Sequence, residues 1–227
     1  RYIEIVGEKS SESIADTLIN GIFGRVTGDA GSRFVIAIGQ AIFLVLFLIL
    51  YGDCIAARQR IGAVYFFSRI SNRKKWILKE FVWLLFYSVL YTFCFVGMHM
   101  IFSIWGSSEA DLSGTLFKVA FQIGLFLTLL LFEMAVLCNL FCAAGGSAIG
   151  ILLSMLCVIG LIMWSTAEVD GMVSEMINPM WLSADIIENG GSYIQKIIIV
   201  FLQTAICAVG TGYYLAKRDL FAREGEG

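Results

Sequence analysis

The 227-residue chain has a single proline, a single histidine and few charges, with aspartate, glutamate, lysine and arginine together making only 15%. One histidine, His99, leaves no His-x-x-x-His zinc site and argues against a His-paired metal centre. A Ser–His or Cys–His nucleophile would rest on His99 alone, and no Gly-x-Ser-x-Gly stretch accompanies it. No Gly-Lys pair occurs, so the chain carries no P-loop of its own. The net charge is −2, and the basic residues cluster in one short loop and a tail, which disfavours a nucleic-acid partner. No cofactor is expected in this chain.

What is abundant is apolar. Hydrophobic residues make 59% of the chain and the mean hydropathy is +0.83, where a soluble domain sits near ~45–50% apolar. The apolar residues fall in five blocks, 34–51, 81–105, 116–142, 148–164 and 197–215. At 1.5 Å rise per residue about 20 residues cross the hydrocarbon layer. Backbone polar groups cannot stay unpaired in lipid, so these blocks must be helices, and no run of alternating ~10-residue strands suggests a barrel. The expectation is an all-α polytopic membrane protein, one transmembrane domain over 1–227, with lipid as a partner. The third block is long and holds Lys118 and Glu133, so it should tilt or run past the bilayer surface.

Lysine and arginine set the orientation. Arg58, Arg60, Arg69, Arg73, Lys74, Lys75 and Lys79 lie between the first two spans, and Lys217, Arg218 and Arg223 in the tail. With five spans both segments fall on one side, read as cytoplasmic, so the C-terminus is cytoplasmic as well. Residues 1–33 then lie outside with no span before them, and the chain starts at Arg1. The expectation is a preceding helix outside this numbering, giving six spans; a cleaved signal segment is the alternative.

Within 1–33, residues 10–27 read as a helix with an apolar stripe of Ile14, Leu18, Ile22 and Val26. It should either lie in the outer interface or pack on other outer loops. Segment 52–80 reads as a short helix from Asp53 to about Phe67, a break near Ser68–Ser71, and Asn72–Glu80 leading into the second span. Trp76 sits where an interfacial anchor is expected. The short helix either lies on the inner leaflet or docks a cytoplasmic partner. Gly146 and Gly150 form a small-xxx-small pair entering the fourth span, which permits close helix contact. The loop 165–196 holds Pro179 and should fold back into the outer interface. The six cysteines avoid the outer loops, so no disulfide is expected there, and Cys138 and Cys142 read as small packing residues.

Polar residues inside spans are the candidate functional groups. Gln40, His99, Gln122 and Gln203 each count six or seven residues below the outer end of their apolar block, so they are expected at one depth. They either bond between helices or ring an outward cavity. Glu133 lies deeper, where a carboxylate costs at least a few kcal/mol in lipid and should face protein or water, or be protonated. It serves either a structural bond to backbone, Ser or Thr, or the inner mouth of a pathway.

The stretch 57–81, with Arg60, Gly62, Ser71, Arg73 and Lys79, resembles the cytoplasmic segment of ABC exporter permeases of the type-2, six-helix class. Gln59 stands where that class usually has Glu. Asn178-Pro179-Met180-Trp181-Leu182-Ser183 resembles its outer re-entrant segment. The likeness extends in layout over residues ~34–220 and is nearest to small permeases of bacteriocin and lantibiotic export or immunity in Gram-positive bacteria. It implies that residues 53–67 are a coupling helix seated in a separate cytoplasmic ATPase, which would hold the ATP and Mg. Ile61, Tyr65, Phe66 and Phe67 would supply apolar contact, and Arg58, Arg60 and Arg69 the polar rim. Two permease chains, identical or homologous, would pair, and the pathway would run between them. The expected function is ATP-driven export of, or immunity to, a hydrophobic or amphipathic substrate such as a peptide, in a bacterial plasma membrane, with no enzymatic activity in this chain. The alternative is a non-transporting anchor, scaffold or sensor partner.

Overall fold

The computed structural model describes residues 18, 19, 22, 30–62, 73–106, 114–166, 187 and 190–217. Six helices are described: α1 (Ala30–Tyr51), α2 (Cys54–Gly62), α3 (Arg73–Gly106), α4 (Gly114–Gly145), α5 (Ser147–Thr166) and α6 (Gly190–Lys217). No strand occurs among the described residues. Five helical segments are long and apolar enough to cross a membrane, and the chain is an all-α polytopic membrane protein.

Each long helix outruns its apolar block, because hydropathy marks contact with lipid while the hydrogen-bond ladder ends where a breaker or turn stops it. α3, at 34 residues, is about 51 Å long. It begins eight residues before its block, at Arg73, and stands well beyond a ~30 Å hydrocarbon layer. α6 starts at Gly190 instead of near 197, because Gly-Gly-Ser-Tyr-Ile-Gln-Lys is polar enough to escape a hydropathy reading yet holds no helix breaker beyond its first turn. α4 runs Gly114–Gly145, longer than its block at both ends.

α4 is the central helix. It packs on α1, α2, α3, α5 and α6, and 67% of its apolar window is buried against 22–39% in the other four spans. Its inward residues Ile123, Phe126, Leu127, Leu130, Leu131, Met134, Ala135 and Val136 form the core, with Phe43, Phe47 and Leu48 from α1, Leu84 from α3 and Val200 from α6. Of the first 29 residues only Leu18, Ile19 and Ile22 are described. They are helical and buried in this same core, so this part of the expected apolar stripe packs on protein. The outward faces remain greasy, with Phe93, Trp105, Phe121, Ile206 and Val209 all highly exposed. On a soluble protein such faces would aggregate; on a membrane protein they meet hydrocarbon.

Side-chain contacts fix the register. Phe43 packs on Tyr91 and Phe95, and Tyr51 stacks on Tyr87, which sets α1 antiparallel to α3. The Tyr91 hydroxyl donates to the Phe43 carbonyl at 3.1 Å. On the other flank the Tyr193 hydroxyl donates to the Gln122 carbonyl at 2.8 Å, and Thr204 meets Glu133. Both pairs are 71 residues apart, so α4 and α6 run parallel in a fixed register.

The α4–α5 hairpin turns at Gly146, whose φ of 95° suits a residue without a Cβ. Gly150 then passes against the end of α4 so closely that a Cβ there would lie 2.3 Å from the Cys142 nitrogen. The close contact that the Gly146/Gly150 pair permits is thus present, made by Gly150, while Gly146 makes the turn.

Candidate functional site

The two ends of the bundle differ. One of them, the basic end, carries α2, the start of α3, the Gly145–Ser147 turn and the end of α6, and with them most of the basic residues of the described helices. There the chain breaks after Tyr51, and Gly52–Asp53 forms a turn before α2. A Cβ on Gly52 would lie 2.7 Å from the Cys138 sulfur, so only glycine lets the backbone pass this close to α4.

α2 is tied to its neighbours by polar side chains. The amides of Ile55 and Ala56 donate to Asn139 Oδ1 on α4 at 2.9 and 3.1 Å. The Ser147 hydroxyl donates to Asp53 Oδ2 at 2.9 Å and accepts from Arg60. Arg58 pairs with Glu80 on α3. Ile55, Ala56 and Gln59 are buried, so this face of α2 turns toward the bundle and away from a bilayer surface. Arg58 and Arg60, expected on a partner-facing rim, are exposed yet both already bond within the chain. Ile61 lies in α2 with its side chain outside the described residues. Tyr65, Phe66, Phe67 and Arg69 lie outside the described residues altogether, as do the expected break at 68–71 and the segment 178–183.

Glu80 is buried while Arg58 is about half exposed. Arg58→Ala leaves a buried carboxylate without its cation and is expected to cost about 1–2 kcal/mol, discounted for the solvent around Arg58. Thermal unfolding of the protein in lipid nanodiscs reads the loss, and Glu80→Gln in the same chain should recover most of it.

α3 opens with Arg73, Lys74 and Lys75 and no acid in its first turn. Cations at a helix N-terminus oppose the macrodipole at ~0.3–1 kcal/mol each. Their placement is therefore not explained by helix stability. Trp76 is half-buried against the core.

A second polar cluster lies between α4 and α6. Glu133 is 5% exposed. Its Oε2 lies 3.3 Å from the Thr204 hydroxyl and its Oε1 3.9 Å from the Cys207 sulfur. Thr204 also bonds the Val200 carbonyl at 2.8 Å. Lys196, on the same helix, is 1% exposed and near enough to act on Glu133 electrostatically. By sequence the outer loop runs to residue 196, just before the fifth apolar block; the early start of α6 carries Lys196 inside the bundle.

The expected common depth of Gln40, His99, Gln122 and Gln203 does not hold. Tyr193 is the α6 residue level with Gln122, and Gln203 lies ten residues further on, about 15 Å deeper. Gln203 is instead adjacent to the Glu133 level, beside Thr204. The difference arises because α6 starts well before its apolar block does. His99 is half-buried with its ring 4.5 Å from that of Phe95. Gln40 falls near the same level through the α1–α3 register, with its side chain outside the described residues. Gln122 is buried, and its Oε1 has no hydrogen-bond partner among the described residues, nor has the Thr92 hydroxyl of α3. The contact of Phe81 with Phe132 brings Thr92 to about the level of Gln122. Buried polar atoms that find no partner among the described residues are costly in an apolar bundle.

Sequence reasoning missed Asn139, Thr92 and Thr204. The available signal for Asn139 was an amide side chain in the apolar run Leu137-Cys-Asn-Leu-Phe, where it must find a partner. No group of three or more His, Cys, Asp or Glu that could hold a metal occurs among the described residues.

The fold and its polar clusters thus define a multi-pass helical membrane protein with a short helix tied across the basic end and a carboxylate buried between two spans. No family model, curated protein or solved structure matches the chain.

Proposed function

We propose that the chain is the membrane subunit of an ABC-type exporter, with the basic end cytoplasmic and α2 the seat of a separate ATPase. The observation that carries this reading is the attachment of α2. A helix lying passively on headgroups needs only an apolar face toward lipid. α2 instead buries Ile55, Ala56 and Gln59 and is bonded to α3, α4 and α5 by side chains. Such a helix can pass force into several spans at once, which is what coupling to a motor requires.

The substrate would be hydrophobic or amphipathic, such as a peptide, and would move along a face carrying Gln122 and Glu133, with Gln203 near the Glu133 level and His99 and Gln40 at another depth. The greasy outer faces leave room for a second permease chain. ATP and Mg would be bound by the ATPase alone, and the setting would be a bacterial plasma membrane.

Pull-down of the chain from its native membrane tests the reading. A nucleotide-hydrolysing subunit should remain bound, and Phe66→Ala/Phe67→Ala should reduce its recovery by roughly tenfold, the scale of losing an aromatic anchor. A stable complex containing no ATPase would point to the anchor or scaffold role instead.

A further inference from the structure

The first amides of a helix have no partner within it and are ordinarily capped by the residue just before. Asp53 holds that position before α2, but its carboxylate accepts from Ser147 of α5. The cap comes from elsewhere. Asn139, more than 80 residues along the chain, accepts from both Ile55 and Ala56. It is held in turn by its Nδ2, which donates to the Ala135 carbonyl at 2.8 Å. Asn139 is 0% exposed, so water cannot replace it. Gly52 admits the chain against Cys138, the neighbour of Asn139. The N-terminus of α2 is thus built into one turn of α4, while its covalent link to α1 is a two-residue turn.

We propose that Asn139 is a positioning residue that makes α2 and α4 a single rigid piece, so that displacement of α2 is delivered to the Glu133–Thr204 contact. Asn139 lies six residues beyond Glu133 on α4, about 9 Å along the axis. A helix is stiff over that length, so a shift of α2 moves Glu133 against Thr204 and Cys207 of α6. α1, which precedes α2 in the chain, need not follow. The source of the push rests on the proposed ATPase seat; the rigid joint does not.

The test uses the full chain in nanodiscs and needs no ATPase. Genetically encoded spin labels are placed at Ala57 with Ala144, and at Ala57 with Leu46. The Ala57–Ala144 distance distribution should be the narrower in the parent chain. Asn139→Leu should broaden it to at least the width of the Ala57–Leu46 distribution. Amide exchange at Ile55 and Ala56 should rise on the order of tenfold, the scale of losing a buried bond. Asn139→Asp keeps an acceptor toward both amides and should restore a narrow distribution. Asn139→Ala, which inserts no new bulk, is measured alongside and should behave as Asn139→Leu. An Ala57–Ala144 distribution unchanged in the Leu and Ala variants overturns the joint, as does a narrower Ala57–Leu46 distribution in the parent. A chain that recruits no ATPase but shows the broadening and its rescue supports the joint and removes only the proposed motor.

Discussion

Glu133→Gln is expected, if the chain is the proposed exporter subunit, to lower export on the order of tenfold or more while the protein still accumulates in the membrane. Glutamine matches the volume of Glu133 and can keep contact with the Thr204 hydroxyl and the Cys207 sulfur. What it removes is a group able to carry charge at a buried position between α4 and α6. Thr204 has its own partner in the Val200 carbonyl, so the packing of the two helices does not hang on the Glu133 bond. A purely structural carboxylate would tolerate this exchange. A carboxylate that meets substrate, or that changes partner as α4 moves, would not, and one charge-assisted bond of about 1.4 kcal/mol corresponds to that factor of ten. Accumulation of labelled peptide in inverted vesicles, with the amount of protein measured in parallel, decides it; parental transport by the variant removes Glu133 from the pathway.

The largest effect on stability is expected at Gly150. A methyl group there would sit 2.3 Å from the Cys142 nitrogen and 2.4 Å from its Cα. These are backbone atoms of α4, which cannot rotate away as a side chain would. Gly150→Ala must therefore push α5 off α4 along the most extensive helix contact of the bundle. Overpacking of this kind costs roughly 1–3 kcal/mol, and the upper end is expected because the obstruction is backbone. Gly160 is on the same helix with open space around its Cβ position, so Gly160→Ala is the control and should leave unfolding unchanged or improve it slightly through helix propensity. Equal thermal midpoints for the two variants would mean that the hairpin is not packed as described.

The five spans were legible in the sequence because lipid imposes a strong filter. A window of about 20 apolar residues is rarely anything but a span. The polar sites were less legible. Glu133 stood out as a charge in an apolar run, but its partners Thr204 and Cys207 lie more than 70 residues away, and nothing local points to them. Gln203 was placed at the wrong depth because a hydropathy block shows where lipid begins, not where the helix begins. Asn139 went unnoticed because a lone amide in a helix has no spacing signature; its role appears only when α2 lies across it.

Sequence by itself determined that this is a polytopic helical membrane protein, where its basic residues concentrate, and that a short polar helix separates the first two spans. Those properties follow from local composition, because the transfer of each side chain between water and lipid is set by its own chemistry. Only the tertiary structure decided that α4 is the hub, that α6 lies against it with Thr204 at Glu133, that Lys196 is buried, and that Asn139 caps α2. Each of these depends on which helix faces lie against one another, and that choice is made by packing between distant segments whose apolar faces look alike in sequence.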